Sequence, residues 1–189
     1  MKNLKWCIYT YKHRKAFEYT VRKLIRDPEL LEEMLRRSRI HDLDKMYLYL
    51  FLDDQVVSQK IHVRRKAHHL ENDSPKSHED LVETVIDYEC APYTKPDKPL
   101  NAWDFVRKMQ KLNYLDPELA EQLFGIMREL GIDMSLDLRQ DREAMAYMES
   151  IGEVTEEMIL MEVMHFIREI PEEEYRELNR IIEEQTAGK

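Results

Sequence analysis

An apolar helical stripe that runs into two ionisable side chains is the feature that most constrains how this chain can fold. Apolar residues recur at helical spacing through Leu31, Met34 and Leu35, and the same spacing continues to His41 and Asp42. The pattern therefore predicts that both side chains point into the protein. Burying them without partners would cost free energy. A bound metal ion would supply partners, and so would a hydrogen bond within a buried polar pair; the stripe is compatible with both.

Helical periodicity extends over most of the chain and predicts an all-α fold. A helix is expected over residues 6–26, with His13 on its apolar side. The Asp-Pro-Glu sequences at 27–29 and 116–118 are typical of helix starts, because Asp caps the first turn and Pro fits its first position. Residues 91–101, which contain three prolines, are expected to form a loop. Further helices are expected at 46–52, at 58–71, from Ser77 through Ile86, and at about 103–112, 117–130, 140–149, 155–169 and 171–185.

The composition of the chain bears on whether it binds nucleic acids, on whether it enters a membrane and on its cellular compartment. The net charge is −9, although residues 1–40 carry 11 Lys and Arg against 5 Asp and Glu. An acidic protein is a poor candidate for tight non-specific binding to nucleic acids. No segment approaches the roughly 18 consecutive apolar residues of a membrane span, and residues 1–15 lack the apolar core of a secretory signal. Two cysteines do not make a disulfide framework. We therefore expect a cytoplasmic protein that is not embedded in a membrane.

The histidines are concentrated around the His41-Asp42 pair. They are His13 upstream and His62, His68, His69 and His78 downstream, whereas His165 is remote. Two cysteines are too few for a thiolate-rich zinc site, so a metal would be bound by imidazole and carboxylate groups. Such ligands suit a divalent transition metal: Fe, Mn, Zn or Ni. Lys45 either neutralises charge on a bound phosphate or lies at the surface, and Asp44 is expected to face solvent.

The order of these residues resembles that of the HD-domain superfamily, which is named for its His-Asp doublet. The residues that carry the resemblance are His13, His41, Asp42, Lys45, His68 or His69, and Asp87. The superfamily is all-helical; most characterised members are metal-dependent phosphohydrolases, and a minority are di-iron oxygenases. The chain is also similar to a group of bacterial and phage proteins that combine an HDL-x-K segment, a His-His doublet and a later segment like Asp87-Tyr88-Glu89-Cys90. That likeness covers roughly residues 8–105 and implies no particular activity.

The resemblance implies an HD-domain-like helical bundle with a C-terminal helical extension. The metal-binding core would occupy residues 1–110, and the extension packed on it would occupy residues 111–189. The implied ligands for one or two ions are His13, His41, Asp42, His68, His69 and Asp87. Between the two adjacent histidines, His68 is favoured. A helical wheel of 81–90 places Glu89 nearer the apolar stripe than Asp87, so either that helix is buried on two sides or Glu89 replaces Asp87.

The leading hypothesis for function is a phosphohydrolase acting on a nucleotide or another small phosphate ester. Asp42 and Lys45 would take part in catalysis, and Arg64, Arg65 and Lys95 would bind the phosphate, with Lys66 and Lys98 nearby. The alternatives are an HD-type di-iron oxygenase and a non-enzymatic helical binding protein with a vestigial metal site. The sequence lacks the motifs of P-loop enzymes, α/β-hydrolases and zincin proteases. Seven of the 11 Met residues fall within 127–164, where they either fill the core or form a homo-oligomer interface.

Overall fold

The computed structural model describes residues 3–95, 101–134 and 138–187. These residues form α-helices and one short 3₁₀ turn, with no strand, so the predicted all-α fold is confirmed. None of the helices in these ranges is long and apolar enough to span a membrane. The helices are α1 (Leu4–Leu24), α2 (Pro28–Ser38), α3 (Leu43–Phe51), α4 (Gln55–Arg65), α5 (His78–Thr94), α6 (Ala102–Lys111), α7 (Pro117–Glu129), α8 (Arg142–Ser150), α9 (Glu156–Glu169) and α10 (Glu172–Thr186).

Helix α1 runs between two hydrophobic clusters and packs against α2, α3, α5, α8 and α9. Its residues Ala16, Phe17 and Val21 belong to a cluster with α5, α6, α7 and α8. Its residues Cys7 and Tyr11 belong to a second cluster with α3, α9 and α10. Each cluster combines residues from both sides of position 110, so the C-terminal segment shares its hydrophobic core with the N-terminal one.

Local capping explains where several helices begin. The Asp27 side chain accepts a hydrogen bond from the Leu30 amide at 2.8 Å, and Asp116 caps α7 in the same way. Ser77 and Asp80 form a reciprocal capping box at the start of α5. A cap of this kind stabilises a helix by about 1 kcal/mol, because it satisfies amides that the first turn leaves free. These starts are therefore set by residues close in sequence.

The segment that carries His41 and Asp42 is a turn, although the stripe predicts a longer helix. Both side chains are buried as predicted, with exposed fractions of 3% and 2%, but α2 ends at Ser38. Arg14 donates from Nε to the His41 carbonyl and from Nη2 to the Arg39 carbonyl, at 2.7 Å each. Asp42 has a φ of 58°, a left-handed conformation that Asp tolerates better than most residues. Because Arg14 satisfies these carbonyls, the chain can leave the helix here.

The helix predicted over 58–71 is also shorter than expected. Helix α4 ends before His68 and His69, which lie in the following turn. The Asn72 side-chain amide donates to the Arg64 carbonyl at 2.7 Å. This bond replaces one that a continuing helix would make. The two histidines are therefore held by a turn rather than by helical geometry.

The loop predicted over 91–101 begins later than expected. Helix α5 continues to Thr94 and includes Pro92 in its last turn. A proline this close to the end removes a single helical hydrogen bond, which the helix can tolerate. Lys98, one of the predicted flanking cations, lies outside the described residues.

The Met residues of 127–164 divide between the core and the surface. Met127 and Met148 are buried in the first hydrophobic cluster. Met161 and Met164 on α9 are 59% and 52% exposed. Core filling thus accounts for only part of the Met-rich segment, and the oligomer interface stays a prediction.

Candidate metal centre

Buried ionisable side chains from four segments of the chain meet at one place in the fold. The four segments are α1, the turn after α2, α4 with the turn after it, and α5. Six of the eight are less than 10% exposed, and His69 and Asp87 are half-buried, which is unusual for so many ionisable groups unless they are paired or bind a metal. They are His13, His41, Asp42, His62, His68, His69, Glu83 and Asp87.

The first ligand group lies between α1 and α5. Ligand atoms of His13, His41 and Asp42 lie within 4.8 Å of one another. Asp87 Oδ1 lies 2.6 Å from His13 Nε2 and 3.7 Å from His41 Nε2. The structure therefore brings together four of the residues that the sequence pattern assigns to one site.

The second ligand group consists of three histidines and the same aspartate. Ligand atoms of Asp42, His62, His68 and His69 also lie within 4.8 Å of one another. His62 Nε2 lies 2.8 Å from Asp42 Oδ1 and 2.7 Å from His69 Nε2. Asp42 thus belongs to both groups, so its carboxylate could bridge two ions. Both adjacent histidines, His68 and His69, are part of this group, and the preference for His68 as a ligand stays a prediction.

His62 is a site residue that sequence reasoning missed. It is completely buried on α4, four residues after the equally buried Ser58. This spacing places both side chains on one helix face. The signal in the sequence is the spacing of seven residues between His62 and His69, which would place both on one side of a helix.

Two carboxylates contact the Nδ1 atoms of three histidines and so orient the imidazole rings. Glu83 Oε1 lies 3.0 Å from the Nδ1 atoms of both His41 and His68. Asp44 Oδ1 lies 2.9 Å from His62 Nδ1. A carboxylate that accepts the Nδ1 proton leaves Nε2 as the ligand atom, which is the usual arrangement behind metal-bound histidines. Asp44 is fully buried, so the expectation that it faces solvent is wrong; its partner His62 lies 18 positions away.

Two of the inward-facing nitrogens have no hydrogen-bond partner among the residues that the structure describes. His41 Nε2 and His68 Nε2 are buried and make no hydrogen bond. Buried polar atoms without a partner are rare, because each costs free energy of desolvation. His41 Nε2 lies 3.7 Å from Asp87 Oδ1 and 4.0 Å from Asp42 Oδ1. The donor set therefore fits a divalent transition metal, and a metal ion would satisfy both nitrogens.

The electrostatics of the site favour bound positive charge. Burial disfavours the charged form of His41, but the neighbouring carboxylates, Asp42 foremost, outweigh burial and raise its pKa to about 10. Burial also opposes ionisation of Asp42 and Asp87, yet the cationic groups around them hold the pKa of both carboxyls well below the usual range. In contrast, burial together with His68 and His62 lowers the pKa of His69 to about 2. His69 is therefore neutral, the form that binds metals.

A cavity of about 710 Å³ opens beside the ligand groups. Its walls include His13, His69 and Asp87 together with Lys45 and Lys95. The remaining aromatic and cationic walls are Tyr9, Tyr88, Phe105, Tyr114 and Lys108. Pockets of roughly 300–1,000 Å³ with mixed apolar and polar walls are typical of small-molecule sites.

Lys45 and Lys95 occupy the cavity in different ways. Lys45 Nζ lies 3.1 Å from Asp42 Oδ2, and the residue is only 8% exposed, so the surface position considered from the sequence is excluded. Burial opposes its charge, but Asp42 keeps the Lys45 pKa above its ordinary value. Lys95 is exposed and lies 5.1 Å from the ring centroid of Tyr9, which stacks on His13.

Two predicted site residues, Arg64 and Arg65, are placed elsewhere. Arg64 is exposed and does not line the cavity. Arg65 contacts Glu174 and Glu177 of α10, so its guanidinium already has carboxylate partners. Neither side chain therefore lines the cavity, although both are close to the histidines in sequence, and their contact with a phosphate stays a prediction.

Glu89, the rival of Asp87, faces the opposite side of α5. Its Oε2 accepts a hydrogen bond from the Ala102 amide at the start of α6, at 2.9 Å. Asp87 faces His13. Helix α5 packs against α1 as well as against α6 and α7, so it is buried on two sides and both acids are enclosed.

Comparison of the chain with protein-family models, with curated proteins and with solved structures finds no match. The resemblance to the HD-domain superfamily therefore stays a prediction from the residue pattern. The case for a metal centre rests on the geometry described above.

Proposed function

We propose that this protein is a metal-dependent phosphohydrolase of HD type that acts on a nucleotide or another small phosphate ester. The observation that carries the proposal is the pair of ligand groups that share Asp42 beside a cavity with lysine side chains. A carboxylate shared by two ligand groups suits two adjacent cations, and the lysines suit an anionic substrate.

Each ligand group would hold one ion. The first would be bound by His13, His41, Asp42 and Asp87, and the second by Asp42, His62, His68 and His69. Bound divalent ions polarise a phosphoryl oxygen and lower the pKa of coordinated water towards neutrality. Glu83 and Asp44 would keep the histidines in the required orientation.

The other cavity residues bind and enclose the substrate. Lys45 is held beside Asp42 as a buried cation, where it would attract a phosphate oxygen and balance the charge that develops on it. Lys95 would contact the phosphate from the exposed rim of the cavity. The aromatic walls formed by Tyr88 and Phe105, whose ring centroids are 4.2 Å apart, would pack against the organic part of the ester and limit access of water.

The test combines metal analysis with phosphatase assays. Wild type is expected to retain a divalent transition metal and to hydrolyse p-nitrophenyl phosphate or nucleoside monophosphates when metal is added. His41→Ala and Asp42→Ala should lose both properties. His165→Ala is a matched control, because His165 is exposed on α9 and belongs to none of the ligand groups. Wild-type protein that stays metal-free and inactive after reconstitution would refute the proposal and favour the non-enzymatic binding protein.

A di-iron oxygenase is the second candidate, and the three histidines of the second ligand group favour it. A full second ligand group allows two ions per chain, as that chemistry needs. An iron content near two per chain with substrate-dependent oxygen consumption and no phosphatase activity would support this candidate. Phosphatase activity stimulated by Zn²⁺ or Mg²⁺, which are not redox-active, would support the hydrolase instead.

A further inference from the structure

We infer that the C-terminal helices α9 and α10 are working parts of the metal centre, because each supplies a carboxylate that positions one of the two ligand-bearing turns. Glu162 on α9 acts through Arg14 on the turn with His41 and Asp42. Glu174 on α10 acts through Lys66 on the turn with His68 and His69. The inference rests on the proposed metal site.

The first contact fixes the turn that carries the shared aspartate. Arg14 is 6% exposed and donates to two carbonyls of this turn. Its remaining nitrogen, Nη1, donates to Glu162 Oε2 at 2.7 Å. A buried guanidinium needs a carboxylate partner, because an unpaired buried charge is strongly destabilising. Glu162 therefore holds Arg14 in place, and Arg14 holds the backbone of His41.

The second contact fixes the turn that carries the two adjacent histidines. Lys66 directly follows α4 as its C-cap residue, and its carbonyl accepts a hydrogen bond from the His69 amide. Its Nζ donates to Glu174 Oε1 at 2.7 Å. Arg65, the preceding residue, contacts the same carboxylate at 3.6 Å. Two consecutive cations, Arg65 at the end of α4 and Lys66 directly after it, thus contact α10 just before the histidines.

The two contacts should affect the two ions differently. Asp42 belongs to both ligand groups, whereas His68 and His69 belong to the second group together with His62. Loosening the turn after α4 should therefore weaken one ion selectively, and loosening the turn after α2 should weaken both. A general loss of stability would not produce this division, so the pattern distinguishes positioning from simple structural support.

The experiment is a titration of metal-free protein with Co²⁺, followed by its visible absorption, which resolves the two binding steps. Glu174→Gln should weaken one of the two Co²⁺-binding steps about tenfold and leave the other unchanged, as expected for loss of an outer contact to a single ligand segment. Glu162→Gln should weaken both steps. Glu172→Gln is the matched control, since Glu172 lies in the same turn of α10 but is 75% exposed and pairs only with Arg176 among the described residues.

Each outcome has a defined meaning. Equal Co²⁺ affinities in wild type and Glu174→Gln would overturn the inference while leaving the proposed function intact. A loss in Glu172→Gln as large as that in Glu174→Gln would overturn it too, because the effect would then be general. Wild type with no Co²⁺ site at all would overturn the proposed function, and with it the inference. Thermal melting of each variant without metal confirms that the compared proteins are folded.

Discussion

Glu83 on α5 offers a test of how the histidines are oriented. Its Oε1 contacts the Nδ1 atoms of both His41 and His68, the two histidines whose Nε2 atoms lack partners. Glu83→Gln keeps an oxygen that can accept both bonds but removes the negative charge, whereas Glu83→Ala removes both. Arg37, the other partner of Glu83, keeps two further carboxylates in either variant. The pair of variants therefore separates charge from geometry.

The structure sets the expected magnitude. Outer carboxylates that orient a metal-bound histidine are typically worth about 10- to 100-fold in metal affinity. Glu83 orients two histidines with one oxygen, so Glu83→Ala belongs at the upper end, about 100-fold or about 2.8 kcal/mol. Glu83→Gln retains the geometry and should cost about tenfold.

The measurement is competition for Zn²⁺ between the protein and a chromophoric chelator. Glu121→Gln on α7 is a suitable control, because its side chain is 67% exposed and remote from the ligand groups. Circular dichroism melting of the metal-free variants confirms that they fold. Unchanged Zn²⁺ affinity in a folded Glu83→Ala protein would refute the orientation of His41 and His68 by this carboxylate.

Three further predictions concern the cavity, the core and the dependence of stability on pH. Lys95→Ala should raise KM for a phosphate monoester about tenfold with little change in kcat, as for a lost charged hydrogen bond. Arg64→Ala should change neither constant. Equal changes of KM in the two variants would contradict the placement of the two cations. Phe17→Ala should lower the free energy of unfolding by about 3–5 kcal/mol, because the fully buried Phe17 ring stacks on His41 at 4.0 Å; urea titration measures it, and a loss below 1 kcal/mol would contradict the packing. Burial raises the pKa of Glu89 from 4.5 to about 7, so the free energy of unfolding should fall as the pH rises from about 4.5 to about 7. Glu89→Gln should therefore be up to about 3 kcal/mol more stable than wild type at pH 8 and similar to it near pH 4. Parallel profiles of stability against pH for the two proteins would argue against a raised pKa.

Most of the helices could be predicted from the sequence because periodicity and caps are local properties. The helices expected at 117–130 and 155–169 are observed at Pro117–Glu129 and Glu156–Glu169. Two of the errors occur where a side chain from outside the helix satisfies the backbone at the helix end. Arg14 does so after α2, and Asn72 does so after α4. No pattern within the helix itself reports such a partner.

The residues of the candidate site also fall into those that the sequence suggests and those that only the structure identifies. The resemblance to the HD-domain superfamily suggests His13, His41, Asp42 and Asp87 as candidate ligands, from the order of residue types along the chain. It does not suggest the supporting residues, because a carboxylate becomes an orienting group only through its neighbour in space. Glu83 lies 42 positions from His41, so only the tertiary structure brings them together.

The sequence by itself determined which chemical groups are available and that several of them point inward. Imidazoles and carboxylates on apolar helical faces must find partners when the chain folds. The tertiary structure decided which partners they find. Helix α5 is buried on two sides, and a helical wheel cannot tell which side meets α1 and which meets α6. The packing of α5 placed Asp87 against His13 and Glu89 against the α6 amide, because helix contacts, rather than local periodicity, determine which face meets the metal centre.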